Sequence, residues 1–130
     1  MNKIKWLSII ILVIMLISMS GCSVITESYN YEAALAKYNK GEYIEAKKYI
    51  DKVVEGNTNK AEYFILAGHI YIENSEMDKC IKYFDKAITD KKNITSLENN
   101  KEALRGKGVA YIRNKEYEKA VEHLDKALAI

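Results

Sequence analysis

The segments GEYIEAKKYIDKVV (41–54), SEMDKCIKYFDKAI (75–88) and KEYEKAVEHLDKAL (115–128) align with one another without a gap. The first pair is offset by 34 residues and the second by 40. Apolar residues within them recur at three and four spacings, as in Ile81, Phe84 and Ile88 or Val121, Leu124 and Leu128, which marks one face of an α-helix. Self-similarity at such a period predicts a repeated helical unit that buries its apolar face on its neighbours.

Each of the three segments follows a second helical pattern. From Glu27 onward the chain has no Pro, its five remaining Gly are scattered, and Ala, Lys, Glu, Leu and Ile dominate, so helices are favoured over strands. The pattern resembles the tetratricopeptide repeat, a helix-turn-helix unit of about 34 residues that stacks into a solenoid. The expected fold is all-α, with copies at 27–60, 61–94 and 101–130. Small residues stand where two antiparallel helices must approach: Ala34 with Ala46, Gly68 with Cys80, and Gly108 with Ala120. Tyr43, Tyr71, Phe84, Tyr111, Tyr117 and Leu124 occupy the family's bulky positions, and Val53, Ala87 and Ala127 its small position near each second helix's end.

The chain departs from the family in places. Thr58 and Lys92 stand where a Pro often closes the repeat, and Asn30 and Lys107 where large apolar residues are preferred, so the outer repeats are expected to be looser. Six extra residues fall within KKNITSLENN (91–100), where Thr95 and Glu98 have capping-box spacing. They either lengthen the third copy's first helix by about a turn and a half or lengthen the loop before it.

The first 21 residues differ from the rest. Lys3 and Lys5 precede about fourteen mostly apolar positions and then Ser20 and Gly21. A spanning helix needs roughly 20 apolar residues, whereas a signal-peptide core needs about 7–15 followed by small residues. Met19-Ser20-Gly21-Cys22 resembles the lipobox of bacterial lipoproteins, with Met19 where that family prefers Leu. The resemblance implies cleavage between Gly21 and Cys22, diacylglyceryl transfer to the Cys22 thiol, and a domain held on the outer side of the cell membrane or at the outer membrane. Acyl burial is worth about 0.8 kcal/mol per CH₂, so two chains anchor stably. Residues 22–26 then form a tether of roughly 15 Å if extended.

Charge and cysteine usage narrow the function. Two of the 20 basic residues lie in the leader, which leaves the remainder balanced against the 18 acidic ones. Such a surface gives no reason to expect nucleic acid. With Cys22 lipidated, Cys80 has no disulfide partner, and its repeat position, shared with Ala46 and Ala120, makes it a packing residue rather than a nucleophile. His69 and His123 belong to no metal-spacing pattern, and no phosphate loop or nucleophile elbow occurs, so neither enzyme activity nor a metal or other cofactor is expected. Asn93-Ile94-Thr95 fits a glycosylation acceptor, which a bacterial lipobox makes irrelevant, and most of the ten tyrosines fall at core positions.

The resemblance implies a function in binding. In the family, the first helices line a concave groove for a partner's peptide or helix. On this chain that face comprises Tyr31, Leu35 and Tyr38, then Ile65, His69 and Ile72, then Arg105, Val109, Ile112 and Arg113. The lining suits an apolar strip of a protein partner, with an acidic residue near Arg105 or Arg113. The expectation is a lipid-anchored adaptor for complex assembly at the bacterial envelope. Self-association through uncapped ends, where Val121, Leu124 and Leu128 stay uncovered, is the alternative, with a redox or enzymatic role for Cys80 or His69 behind it.

Overall fold

A computed structural model describes residues 2–130, and the side chains of all of these except 16–23. The described residues form six α-helices: α1 (Asn2–Asn39), α2 (Tyr43–Val54), α3 (Ala61–Glu73), α4 (Met77–Ala87), α5 (Ile94–Arg113) and α6 (Tyr117–Leu128). Consecutive helices pair within each repeat, and α2 packs on α3 as α4 packs on α5. The odd-numbered helices also contact one another, α1 with α3 and α3 with α5. This is the stacked-repeat arrangement expected of an α-solenoid.

One turn recurs three times. Gly41, Ser75 and Lys115, equivalent positions in the three copies, all take positive φ, at 75°, 61° and 62°. Around each, two backbone bonds close the preceding helix: Gly41 N–H donates to Tyr38 O and Glu42 N–H to Lys37 O, with Ser75 and Glu76, then Lys115 and Glu116, repeating the pattern. This is the Schellman arrangement, which satisfies carbonyls that the helix end would leave unpaired. Glu42, Glu76 and Glu116 follow directly and open the second helices.

The core fills as the repeat spacing predicts. Ala34, Ala46, Cys80, Ala120, Val53, Ala87 and Ala127 are all buried, and Phe84 and Ile50 are fully enclosed at equivalent positions in α4 and α2. Phe84 lies between two glycines. A Cβ on Gly68 would stand 2.6 Å from its ring and one on Gly106 2.2 Å. The third copy is less complete: Tyr117, Val121 and Leu128 are 57%, 58% and 79% exposed. Among the described residues Tyr117 therefore does not act as the core residue its position suggested.

The departures find physical reasons. Lys107 is buried, its ammonium held 2.6 Å from Asp85 of α4, so its aliphatic stem supplies the apolar filling and its head leaves at the rim. Asn30, also buried, is shorter than Phe64 and Leu104 at the same position, and beside it a cleft of about 660 Å³ opens between α1 and the end of α2. The six extra residues lengthen a helix: α5 has 20 residues and α3 has 13. Its N-cap is Asn93, two residues before Thr95, with the side chain accepting from Ser96 N–H at 2.9 Å. Asn100, about two turns further, exchanges two hydrogen bonds with the backbone of Thr89 and so pins the connection between α4 and α5.

The amino-terminal third gives one difference. α1 is continuous through 22–26, so Ser23 to Thr26 are helical rather than an extended tether, and four residues span only about 6 Å at 1.5 Å per residue. Gly21 and Cys22, the expected cleavage and lipidation site, lie among the residues whose side chains are not described. Among the described residues no helix is long and apolar enough to cross a membrane.

Candidate functional site

Because the odd-numbered helices lie side by side, α1, α3 and α5 bring one face of each repeat into a common concave wall. Tyr31, Leu35 and Tyr38 of α1, Ile65, Leu66 and His69 of α3, and Glu62, Asn99 and Glu102 line a concavity of about 360 Å³. Five of the ten residues expected for the groove meet here. Tyr31 stacks on Tyr63 with ring centroids 4.2 Å apart, and Tyr38 leans toward both Tyr43 and His69. Burial, with neighbouring Glu62, pushes the Tyr31 hydroxyl above its ordinary range; burial, with Glu73, does the same for Tyr38. Both phenols stay neutral and can donate a hydrogen bond at any physiological pH.

His69 forms the floor. Its Nε2 lies 3.0 Å from a Glu102 oxygen on α5, and its ring meets Phe84 edge-on at 5.2 Å. The imidazole thus ties α3 to α5 across the groove. Glu102 is shared with Arg105, whose guanidinium donates to its other oxygen at 2.7 Å.

The other expected lining residues are placed differently. Ile72 is 2% exposed and packs in the hydrophobic core, and Arg113 of α5 donates to its carbonyl oxygen at 3.3 Å and to Glu73 at 2.8 Å. Val109 and Ile112 are exposed on α5 but do not line the concavity. Arg105 and Arg113 are each paired with a carboxylate of the chain itself. An acidic partner residue near them would compete with Glu102 and Glu73, so the groove does not offer the free cationic end that its sequence suggested.

Glu62, Leu66, Asn99 and Glu102 were missed as lining residues. Glu62 and Glu102 could have been read from their place one turn from Leu66 and Arg105 on the same helix faces. Asn99 enters only because α5 begins seven residues early relative to α3.

The remaining chemistry-bearing groups are structural. Cys80 is fully buried, and burial pushes its thiol up to about 12, which removes the thiolate needed for redox or nucleophilic work. His123 lies beside Tyr111, with Nδ1 2.9 Å from the Lys119 carbonyl oxygen. Among the described residues no cluster of three or more His, Cys, Asp or Glu could hold a metal ion.

A tetratricopeptide repeat family model matches residues 27–58 and 61–89, and a second model of the same repeat matches 101–130. The chain belongs to the tetratricopeptide repeat family. Among solved structures it resembles the crystal structure of MamA, with a TM-score of 0.64 over 79% of this chain at 23% identity, and it spans 57% of the length of that protein. That likeness concerns the fold. No curated protein matches the chain. Tetratricopeptide repeat domains are typically non-enzymatic scaffolds that bind protein partners, and this places the chain among protein-interaction modules.

Proposed function

We propose that the chain is a lipid-anchored adaptor whose concave face takes an apolar side-chain strip of a partner protein flanked by Lys or Arg. The observation that carries this is the lining of the 360 Å³ concavity: Tyr31, Leu35, Tyr38 and Ile65 form the apolar wall, and Glu62, unlike Glu102 with its partners His69 and Arg105, enters no ion pair among the described residues. Glu32, which acts on Tyr31 through its charge, extends the acidic side along α1. Apolar contact supplies affinity, and the carboxylates select the sign of the flanking charge and speed encounter.

Cys22 supports the envelope setting. The short basic start, apolar core and Ser-Gly-Cys ending motivate cleavage before Cys22 and attachment of two acyl chains. On this reading the groove works on the extracytoplasmic side of the cell membrane or at the outer membrane, assisting assembly of an envelope complex.

Two measurements test the proposal. A displayed library of helical and extended peptides is selected on the full chain in mild detergent, against a Tyr38→Ala, Ile65→Glu variant of equal helicity. Enrichment of apolar sequences with Lys or Arg, weakened at least tenfold by Glu62→Lys, is expected. Enrichment of acidic sequences, or binding indifferent to both variants, refutes the groove. Intact mass from native membranes should show a chain beginning at a diacylated Cys22; an unmodified chain carrying Met1 refutes the anchor.

A further inference from the structure

Two copies of the repeat carry a large apolar side chain at one position of the first helix, and the first copy does not. Phe64 of α3 is buried there, with the Lys86 ammonium of α4 5.5 Å from its ring centroid, and Leu104 of α5 holds the place in the third copy. In the first copy the residue is Asn30. Lys52, the equivalent of Lys86, lines with it the cleft of about 660 Å³ between α1 and the end of α2. That volume lies within the roughly 300–1,000 Å³ of ligand sites.

The polar groups of this cleft lack partners within the chain. Asn30 is 6% exposed, and its side chain makes no hydrogen bond among the described residues. Glu27, one turn earlier on α1, keeps Oε1 buried with no hydrogen-bond partner. Lys60, whose charge reaches Glu27, donates instead to the Tyr63 hydroxyl at 2.8 Å. A buried acceptor is costly to leave without a donor, and the cleft is the side from which one can come. Lys52, exposed and 5.5 Å from the Tyr49 ring centroid, enters no ion pair among the described residues, and Asn57 adds a second amide to the lining. A buried anionic acceptor and an exposed cation suit a small zwitterion that carries N–H donors.

The position of the cleft along α1 names the source. Val24 lines it and is 57% exposed, with Ile25 beside it 72% exposed. On the continuous helix Val24 lies about 3 Å beyond Cys22 and Asn30 about 12 Å beyond it. The membrane anchoring proposed above, on which this placement rests, sets the hydrocarbon boundary near Cys22. The head-group layer extends about 5–8 Å past that boundary, so the cleft opens at its depth.

We propose that the cleft of the first repeat binds the head group of a phosphoethanolamine lipid, its ammonium donating to Glu27 Oε1 and the Asn30 amide oxygen and its phosphate facing Lys52 and Asn57. A choline head has no N–H for the buried oxygen, and a glycerol head has no cation. The contact fixes the rotation of the solenoid about α1, which a flexible acyl anchor leaves free. It uses no residue of the groove.

The test uses the full chain. In mild detergent, calorimetric titration with glycerophosphoethanolamine should show binding at least tenfold tighter than with glycerophosphocholine or glycerophosphoglycerol. Native mass spectrometry of the chain released from vesicles of the three corresponding lipids in equal amounts should show the ethanolamine lipid retained. Glu27→Gln should weaken both at least tenfold. Asn30→Phe, which restores the side chain of Phe64, should abolish both while unfolding at no lower a temperature than the wild type. Equal binding of the three heads, or binding that survives in either folded variant, overturns the proposal. Binding of the free head with no lipid retained assigns the cleft to a soluble zwitterion and overturns the lipid source. Flotation with vesicles separates the two readings: a chain that does not float refutes the anchor and the lipid source with it, whereas a chain that floats and ignores all three heads refutes the cleft alone.

Discussion

Gly106 in α5 lies so close to the Phe84 ring of α4 that a Cβ there would stand 2.2 Å from Cζ. Both residues are buried, and Gly68 confines the same ring from within its own repeat. Helix propensity alone would favour Ala at Gly106 by about 1 kcal/mol. The overlap is larger than that gain, since forcing an extra methyl into a packed core costs typically about 1–3 kcal/mol. Gly106→Ala should therefore lower the midpoint of urea unfolding, and adding Phe84→Leu should recover part of the loss. Equal or raised stability for the single variant would mean that the ring has room to turn.

Lys107 and Asp85 should respond asymmetrically. Lys107 is buried while Asp85 is half exposed, so removing the acid strands an ammonium with no partner. Asp85→Ala should cost about 1–2 kcal/mol, whereas Lys107→Leu, which restores the family's apolar residue, should be neutral or stabilising. Thermal unfolding of the two variants side by side checks the order.

Cys80 should be silent to thiol reagents in the folded chain and reactive on denaturation. With its proton held up to about 12 in the folded state, the unfolded thiol ionises first as pH rises above the ordinary value of 9.0. A group whose folded pKa is raised contributes stability below the unfolded value and loses it as pH climbs toward the folded one. The wild type should thus lose more stability between pH 8 and pH 10.5 than Cys80→Ala does. Cys80→Ala itself should cost under about 1.5 kcal/mol, since the repeat uses Ala at both equivalent positions.

The three left-handed turns make a matched set. Ser75 and Lys115 carry a Cβ in a region that disfavours it by roughly 1–2 kcal/mol, and Gly41 does not. Ser75→Gly and Lys115→Gly should each raise the unfolding midpoint, by about 0.5–1 kcal/mol after the added entropy of the unfolded chain is set against the relieved strain. Gly41→Ala, where a Cβ would meet nothing within 4 Å, should lower it through backbone strain alone.

Much of the fold was legible because its local rules repeat. Three in-register segments fixed the number of units and the small-residue positions at Ala46, Cys80 and Ala120. Of the groove, Tyr31, Leu35, Tyr38, Ile65 and His69 came from carrying the family's first-helix face onto this chain, and the structure places these five along one concavity. Ile72 was misplaced because the face of a helix does not give the depth of each position on it, and Ile72 lies inside the hydrophobic core.

By itself the sequence determined the repeat, its register and the chemistry available on each face, because these depend on the identity and spacing of neighbours along one helix. The tertiary structure decided which charges are already neutralised, Arg105 by Glu102 and Arg113 by Glu73, and hence that the cationic end expected of the groove is taken up within the chain. It also decided that the six extra residues extend α5, since Asn93 and Asn100 satisfy backbone groups that a loop would leave to solvent. Pairings across helices depend on distances between segments far apart in the chain, and such distances exist only once the repeats have stacked.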